Sequence, residues 1–298
     1  MASHVIRSMM SVPGIREKFI DKAREIPADI LCFDLEDSVA WDDKPAARAK
    51  LAEVLPDFPA LGRMLFVRVN GYDTGLTELE LDAVVGPWLH GINISKVNDA
   101  ADMHRVDHYL TFLEKTRGLE DGQIKLIPWI ENATAVVNAF EICTASQRTI
   151  GAAIGGEDYA VSIGARRTRD GAELLQARSV TVNACHAAGI VPIDTPRVDF
   201  KDTEAFEDEL QFVRTIGFRG KFCIHPTQVD RANEVFAPTD EDKDWARRVI
   251  ELYEDGVARN LGAVSMDGEM IDKPVADQAR ALLEWVDQIE ARGAPTQS

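Results

Sequence analysis

Two apolar runs of the chain end in carboxylates. Lys125-Leu-Ile-Pro-Trp-Ile130 runs into Glu131, and Ile150-Gly-Ala-Ala-Ile-Gly155 runs through Gly156 and Glu157 into Asp158. A short apolar run reads as a buried strand, and a carboxylate at its end is costly to bury unless something pairs it. Two such ends on one rim of a sheet or barrel would bring hard oxygen donors together, a set that suits Mg2+. The competing reading is that each carboxylate caps the helix that follows it.

Other strand-like runs end in the same way. Asp34-Leu35-Glu36-Asp37-Ser38, Arg68-Val69-Asn70, Lys96, Asp194 and His225 all stand at or near the close of an apolar stretch. The period-2 alternation of a strand puts Arg68 on one face with Phe66 and Asn70. A guanidinium on that face needs anionic company, which a substrate or a structural salt bridge to Glu36 or Asp37 would supply. Lys96 fits a site or a structural ion pair. Asp34 reads as structural, and His225 as a hydrogen-bonded histidine at a strand end. Asn70-Gly71-Tyr72-Asp73-Thr74-Gly75 carries the residues of a tight turn.

The elements that must position these groups alternate. Strand-like runs cover 7–12, 30–35, 65–70, 92–97, 125–130, 150–155, 190–194 and 221–225. Stretches of helical period lie between them, at 16–26, 45–54, 76–85, 100–115, 134–145, 171–187 and 204–216. Strand alternating with helix argues for parallel pairing through right-handed crossovers. Eight repeats predict an α/β fold of the (β/α)8 TIM-barrel type, usually about 250 residues long. Active sites of such barrels lie at the C-terminal ends of the strands, where the polar residues named above stand. An open doubly wound sheet is the alternative, but Val12-Pro13-Gly14-Ile15-Arg16 after the first run is no dinucleotide fingerprint. The barrel core is assigned to residues 1–226. Residues 227–298 form a C-terminal helical extension, with a long helix over 240–260, a short strand and turn over 262–268, and a last helix over 275–292.

Composition narrows the partners. The 298 residues carry 33 basic and 50 acidic side chains, a net charge of −17. That argues against nucleic acid or an anionic membrane as the main partner, while a local arginine can still bind a small anion. No run approaches the ~20 apolar residues of a membrane span, and the N-terminus lacks a signal-peptide core. Cys32, Cys143, Cys185 and Cys223 are scattered singly, which suits buried free thiols and a cytoplasmic location.

Several motifs, in order along nearly the whole chain, resemble the citrate lyase β-subunit family of acyl-CoA and acyl-carrier lyases. They are Arg7-Ser8 with Val12-Pro13-Gly14, Asp34-Leu35-Glu36-Asp37-Ser38, Val67-Arg68-Val69-Asn70-Gly71 with Asp73-Thr74-Gly75, Ile130-Glu131, Gly155-Gly156-Glu157-Asp158, Gly220-Lys221 through Cys223-Ile224-His225-Pro226, and Gly268 through Met270-Ile271-Asp272-Lys273-Pro274. The resemblance implies a barrel of the phosphoenolpyruvate/pyruvate-binding type that holds Mg2+ on Glu131 and Asp158, with Arg68 and Glu131 meeting the substrate. It implies a trimer or hexamer in which a C-terminal aspartate, here Asp272, reaches a neighbouring subunit's site, so that the extension acts as a lid. Glu36 and Asp37 would accept hydrogen bonds from water at the metal.

The implied reaction is reversible cleavage of a 3-hydroxyacyl thioester such as malyl-, citramalyl- or citryl-CoA into an acyl-CoA and a 2-oxo acid. Arg68 would stabilise the thioester enolate and Asp272 would serve as acid–base group. Ser11, Ser95 and Asn132 depart from the family pattern near the expected pocket, which leaves the substrate open. The alternatives are a class II metal-dependent aldolase on free 2-oxo acids, which usually carries a histidine near the early strands that is missing between His4 and His90, and a non-catalytic barrel subunit of a lyase complex.

Overall fold

The computed structural model describes residues 4–293. Each of the eight apolar runs forms a strand: β1 (Ser8–Pro13), β2 (Ile30–Asp34), β3 (Met64–Val69), β4 (Gly91–Ile94), β5 (Lys125–Ile130), β6 (Gly151–Ile154), β7 (Val191–Asp194) and β8 (Gly220–Cys223). Each pairs in parallel with the next, and β8 pairs with β1 to close the barrel. The strands read as nearly continuous apolar runs because both faces are covered. One alternate set, including Met9, Ile30, Cys32, Phe66, Ile127, Trp129, Ile193 and Phe222, fills the barrel interior. The other, including Leu31, Phe33, Val67, Ile92, Ile94 and Leu126, packs outward under the helices. Inside, Trp129 and Phe222 meet edge to face at 4.9 Å.

The helices of this unit are α1 (Glu17–Ala23), α2 (Lys44–Val54), α3 (Thr77–Val84), α4 (Ala100–Arg117), α5 (Ala133–Val137), α6 (Ala139–Thr144), α7 (Gly156–Ser162), α8 (Leu175–Ala188), α9 (Thr203–Thr215) and α10 (Thr227–Val235). The single helix predicted over 134–145 is two, broken at Asn138, whose side-chain amide donates to the Asn98 carbonyl at 3.0 Å. Asparagine competes in this way with the helical ladder. The short α7 and α10 were not anticipated, although α10 buries Val229, Ala232 and Val235 along one face. α10 packs against β1, β8 and α9, and its Asn233 accepts from Ser8 Oγ at 2.7 Å. The barrel unit therefore ends at Phe236, ten residues beyond the boundary read from the sequence.

The second unit starts at Ala237 and contains α11 (Asp240–Ala258), β9 (Val264–Met266), β10 (Glu269–Ile271) and α12 (Lys273–Gly293). A capping box between Thr239 and Asp242 starts α11. β9 and β10 form an antiparallel hairpin, so the expected single strand has a partner. Asp267 and Gly268 at its turn both take positive φ, 55° and 94°, as a primed turn requires. Ala246, Val249, Met266, Ile271 and Ala279 make this unit's own core. Among the described residues no helix is long and apolar enough to cross a membrane.

Candidate active site

Register sets the first pair. Asp34 of β2 lies directly beside Arg68 of β3, and alternation turns both into the barrel mouth. Arg68 donates from Nε to Asp34 Oδ1 at 2.7 Å and from Nη2 to Asp34 Oδ2 at 2.6 Å. This two-point fork fixes the guanidinium plane. Its third nitrogen, Nη1, lies 3.1 Å from Glu36 Oε2 and 3.3 Å from Asp37 Oδ2, and its Cζ sits 5.4 Å from the centre of the Trp129 ring. Burial alone would lower the Arg68 pKa, but Asp34 outweighs it and holds the group well above its ordinary value. Burial likewise pushes Asp34 up, and Arg68 wins by pulling it below the carboxylate range.

The sequence offered Glu36 or Asp37 as salt-bridge partners of Arg68, beside an anionic substrate, and read Asp34 as structural; both contacts are present. Asp34 is the main partner, and the signal was its inward parity at the end of the neighbouring strand.

Glu131 follows β5 and is 1% exposed. It accepts from the Lys96 backbone N–H at 2.5 Å through Oε1. Desolvation pushes its pKa up to about 7 against the pull of Lys96. Space for it exists because residue 155 is glycine: a Cβ there would lie 2.4 Å from Glu131 Cβ and 2.6 Å from its Oε2. Asp158 stands in the first turn of α7, with its side chain 43% exposed.

Lys96 joins these groups. Its Nζ lies 2.7 Å from Asp158 Oδ2, 3.7 Å from Glu131 Oε1 and 3.8 Å from Glu36 Oε1. Burial lowers the Lys96 pKa, and the carboxylates, Glu131 first, raise it by more. Glu36 is pushed up to about 8, chiefly by desolvation. The Lys96 backbone takes φ +55°, a conformation that side chains other than glycine seldom hold and that clusters at functional sites. Gly71 lets the β3 loop pass close beside it, since a Cβ at 71 would lie 2.8 Å from Lys96 Cβ. That loop is tied down where Asn70 donates from its backbone N and Nδ2 to Glu80, at 2.8 and 2.6 Å.

The structure thus gathers Arg68, Glu131, Asp158, Glu36 and Asp37 at one mouth and adds Asp34 and Lys96. Asp272 belongs to the second unit, just before α12, where its Oδ1 accepts from the Val275 N–H at 3.4 Å. Two other polar strand ends are structural. Asp194 pairs with Arg178 and Lys221, and the His225 ring stacks on Phe200 while Nδ1 meets Thr227 Oγ1. Asn132 N-caps α5 through the Ala135 N–H. Ser95 Oγ is buried without a hydrogen-bond partner, and the alternation that turns Asn93 inward turns Ser95 the same way.

The mouth holds five carboxylates against two cations. Desolvation is what raises Glu36 and Glu131, with the neighbouring carboxylates adding to it, and a further cation between Glu131 and Asp158 would favour their charged forms. The donors there are carboxylate oxygens, which fit a hard divalent ion. Among the described residues no three His, Cys, Asp or Glu side chains converge as a ready cage, so water or a bound acid would complete the coordination.

Residues 7–226 match the HpcH/HpaI aldolase/citrate lyase family. The chain is 38% identical over 278 residues to the citrate lyase subunit beta of Leuconostoc mesenteroides subsp. cremoris, covering 93% of this chain and 92% of that protein. It is 33% identical over 305 residues to an L-malyl-CoA/beta-methylmalyl-CoA lyase of Cereibacter sphaeroides, covering 96% of each. Among solved structures it superposes on the protein CitE of Mycobacterium tuberculosis, crystallised with magnesium, acetoacetate and coenzyme A. That match has a TM-score of 0.75 and 28% identity, and covers 96% of this chain and all of that one. A Burkholderia xenovorans citrate lyase shares the fold at a TM-score of 0.82 and 18% identity, over 97% of this chain and 93% of that one.

Proposed function

The chain belongs to the HpcH/HpaI aldolase/citrate lyase family, and from that premise we propose that it is a Mg2+-dependent carbon–carbon lyase acting on a 3-hydroxyacyl-CoA thioester. Cleavage would yield an acyl-CoA and a 2-oxo acid, and condensation would reverse it. Malyl-, citramalyl- and citryl-CoA are the proposed substrates. The observation that carries the reading is the seat between Glu131 and Asp158, where two carboxylates already converge on one cation. Relatives that are malyl-CoA lyases and a relative crystallised with magnesium and coenzyme A support it.

Glu131 and Asp158 would hold the Mg2+. When bound, the ion supplies Lewis-acid polarisation and a template for the carboxylate and adjacent oxygen of the oxo acid. Lys96, through its backbone N–H, orients Glu131. Arg68 has its Nε and one N–H of Nη2 committed to Asp34 and its Nη1 held by Glu36 and Asp37, and the second N–H of Nη2 is assigned to the thioester oxygen, where enolate charge develops. A preorganised donor of this kind is worth about 3 kcal/mol. Glu36 and Asp37 would hold the third nitrogen of Arg68 and accept hydrogen bonds from water at the seat. Asp272, reaching a neighbouring subunit's mouth in a trimer or hexamer, is assigned the proton transfer. It removes a proton from the acyl methyl group in condensation and returns it to the enolate carbon in cleavage.

The test is incubation with Mg2+, acetyl- or propionyl-CoA and a panel of 2-oxo acids, with products identified by mass. A 3-hydroxyacyl-CoA is expected, and its loss in Glu131→Gln and Asp158→Asn with circular dichroism unchanged. Retained condensation in either variant would overturn the metal assignment. Cleavage of a free hydroxy-oxo acid without thioester would favour an aldolase instead.

A further inference from the structure

We propose that Lys96 is a built-in occupant of the cation seat. Its ammonium holds the position between Glu131 and Asp158 in the metal-free protein and swings out when a divalent ion enters. This rests on the reading that the seat takes Mg2+. Lys96 Nζ stands 2.7 Å from Asp158 and 3.7 Å from Glu131, whereas Mg2+ draws its oxygen ligands to about 2.0–2.1 Å. One point between the two carboxylates cannot hold both cations.

The residue is built to let go. Its main chain is rooted twice, by its N–H on Glu131 Oε1 at 2.5 Å and by the close pass of Gly71, where a Cβ would lie 2.8 Å from Lys96 Cβ. The side chain can leave while the backbone donor to Glu131 stays. The Lys96 side chain is about one-third exposed and its nearest partner, Asp158, is 43% exposed, so the ammonium has a way to solvent. Arg68 has no such freedom, being forked onto buried Asp34. Without metal, Lys96 keeps Glu131 and Asp158 from facing one another without a cation; with metal, it becomes a competitor that sets the affinity.

The experiment compares wild type and Lys96→Met by Mn2+ titration followed by electron paramagnetic resonance. We expect the variant to bind Mn2+ up to about fivefold more tightly, since roughly one partly exposed ion pair is no longer displaced. Its metal-free form should melt lower than wild type, and Mg2+ should raise its Tm by more. A second readout uses only wild type: amine-selective labelling with peptide mass spectrometry should find Lys96 severalfold more reactive in saturating Mg2+, with exposed Lys22 as the unchanged reference. Equal or weaker Mn2+ binding by the variant, or labelling of Lys96 that Mg2+ leaves unchanged or suppresses, would overturn the placeholder role and leave the metal seat standing. Absence of Mn2+ binding by wild type would overturn the metal reading itself and this inference with it.

Discussion

Gly155→Ala isolates the packing that shapes the proposed metal seat. The backbone at 155 has φ −97° and ψ 86°, which alanine can adopt, so the effect is steric. The new Cβ would lie 2.4 Å from Glu131 Cβ, 2.6 Å from Glu131 Oε2 and 3.1 Å from Trp129 Cε3. Ordinary contact begins near 3.4 Å, so Glu131 must move by roughly 1 Å, and overpacking of this size costs about 1–3 kcal/mol. At about 2–4 °C per kcal/mol for a domain of this size, differential scanning calorimetry should record a Tm lower by several degrees. A ligand displaced by that distance should also weaken Mn2+ binding by roughly 10–100-fold. Gly262→Ala, with no atom within 4 Å of its Cβ, is the neutral reference. Wild-type Tm and affinity in Gly155→Ala would refute the packing account. Lost stability with unchanged affinity would show that Trp129 gives way and that Glu131 does not depend on this glycine.

Asp34→Asn should destabilise the fold by about 3–5 kcal/mol in urea denaturation, because it strips a buried guanidinium of its main counter-charge; a change below about 1 kcal/mol would mean that Glu36 and Asp37 suffice. Asp272→Asn should lower kcat by about 10²–10⁴-fold with KM nearly unchanged, and an unaltered kcat would remove it from the proton transfer. Fully buried Glu80 has its pKa raised to about 7 by desolvation. A raised carboxyl stabilises the folded state below the unfolded pKa near 4.5, and this contribution is lost as pH rises to 7. From pH 4 to 8 the stability of Glu80→Gln should therefore gain on wild type by about 3 kcal/mol, and parallel urea profiles would refute this.

Much of the fold was legible because the physics that specifies it is local. A strand buried on both faces must be apolar throughout, so the eight runs stood out, and Lys125–Ile130 matched its strand residue for residue. A helix as short as α7 shows no period, so it left no signal. The apolar face of α10 was there to be read in Val229, Ala232 and Val235, but its place against β1 depends on Ser8 and Asn233, which lie far apart in the chain.

For the site, the sequence by itself determined the chemical types and their level on the barrel. Glu131 and Asp158 close consecutive strand–helix units, and parity alone turns Arg68 inward. Which groups touch was decided by register and tilt between strands. That Asp34 and not Glu36 forks Arg68 depends on the pairing of β2 with β3. That Lys96 lies between two carboxylates depends on a backbone at φ +55°, which nothing in Ile94-Ser95-Lys96 announces. Local sequence sets what a residue can bear, but closure of the barrel sets which charges must share one small space, and that sharing makes a seat for a cation.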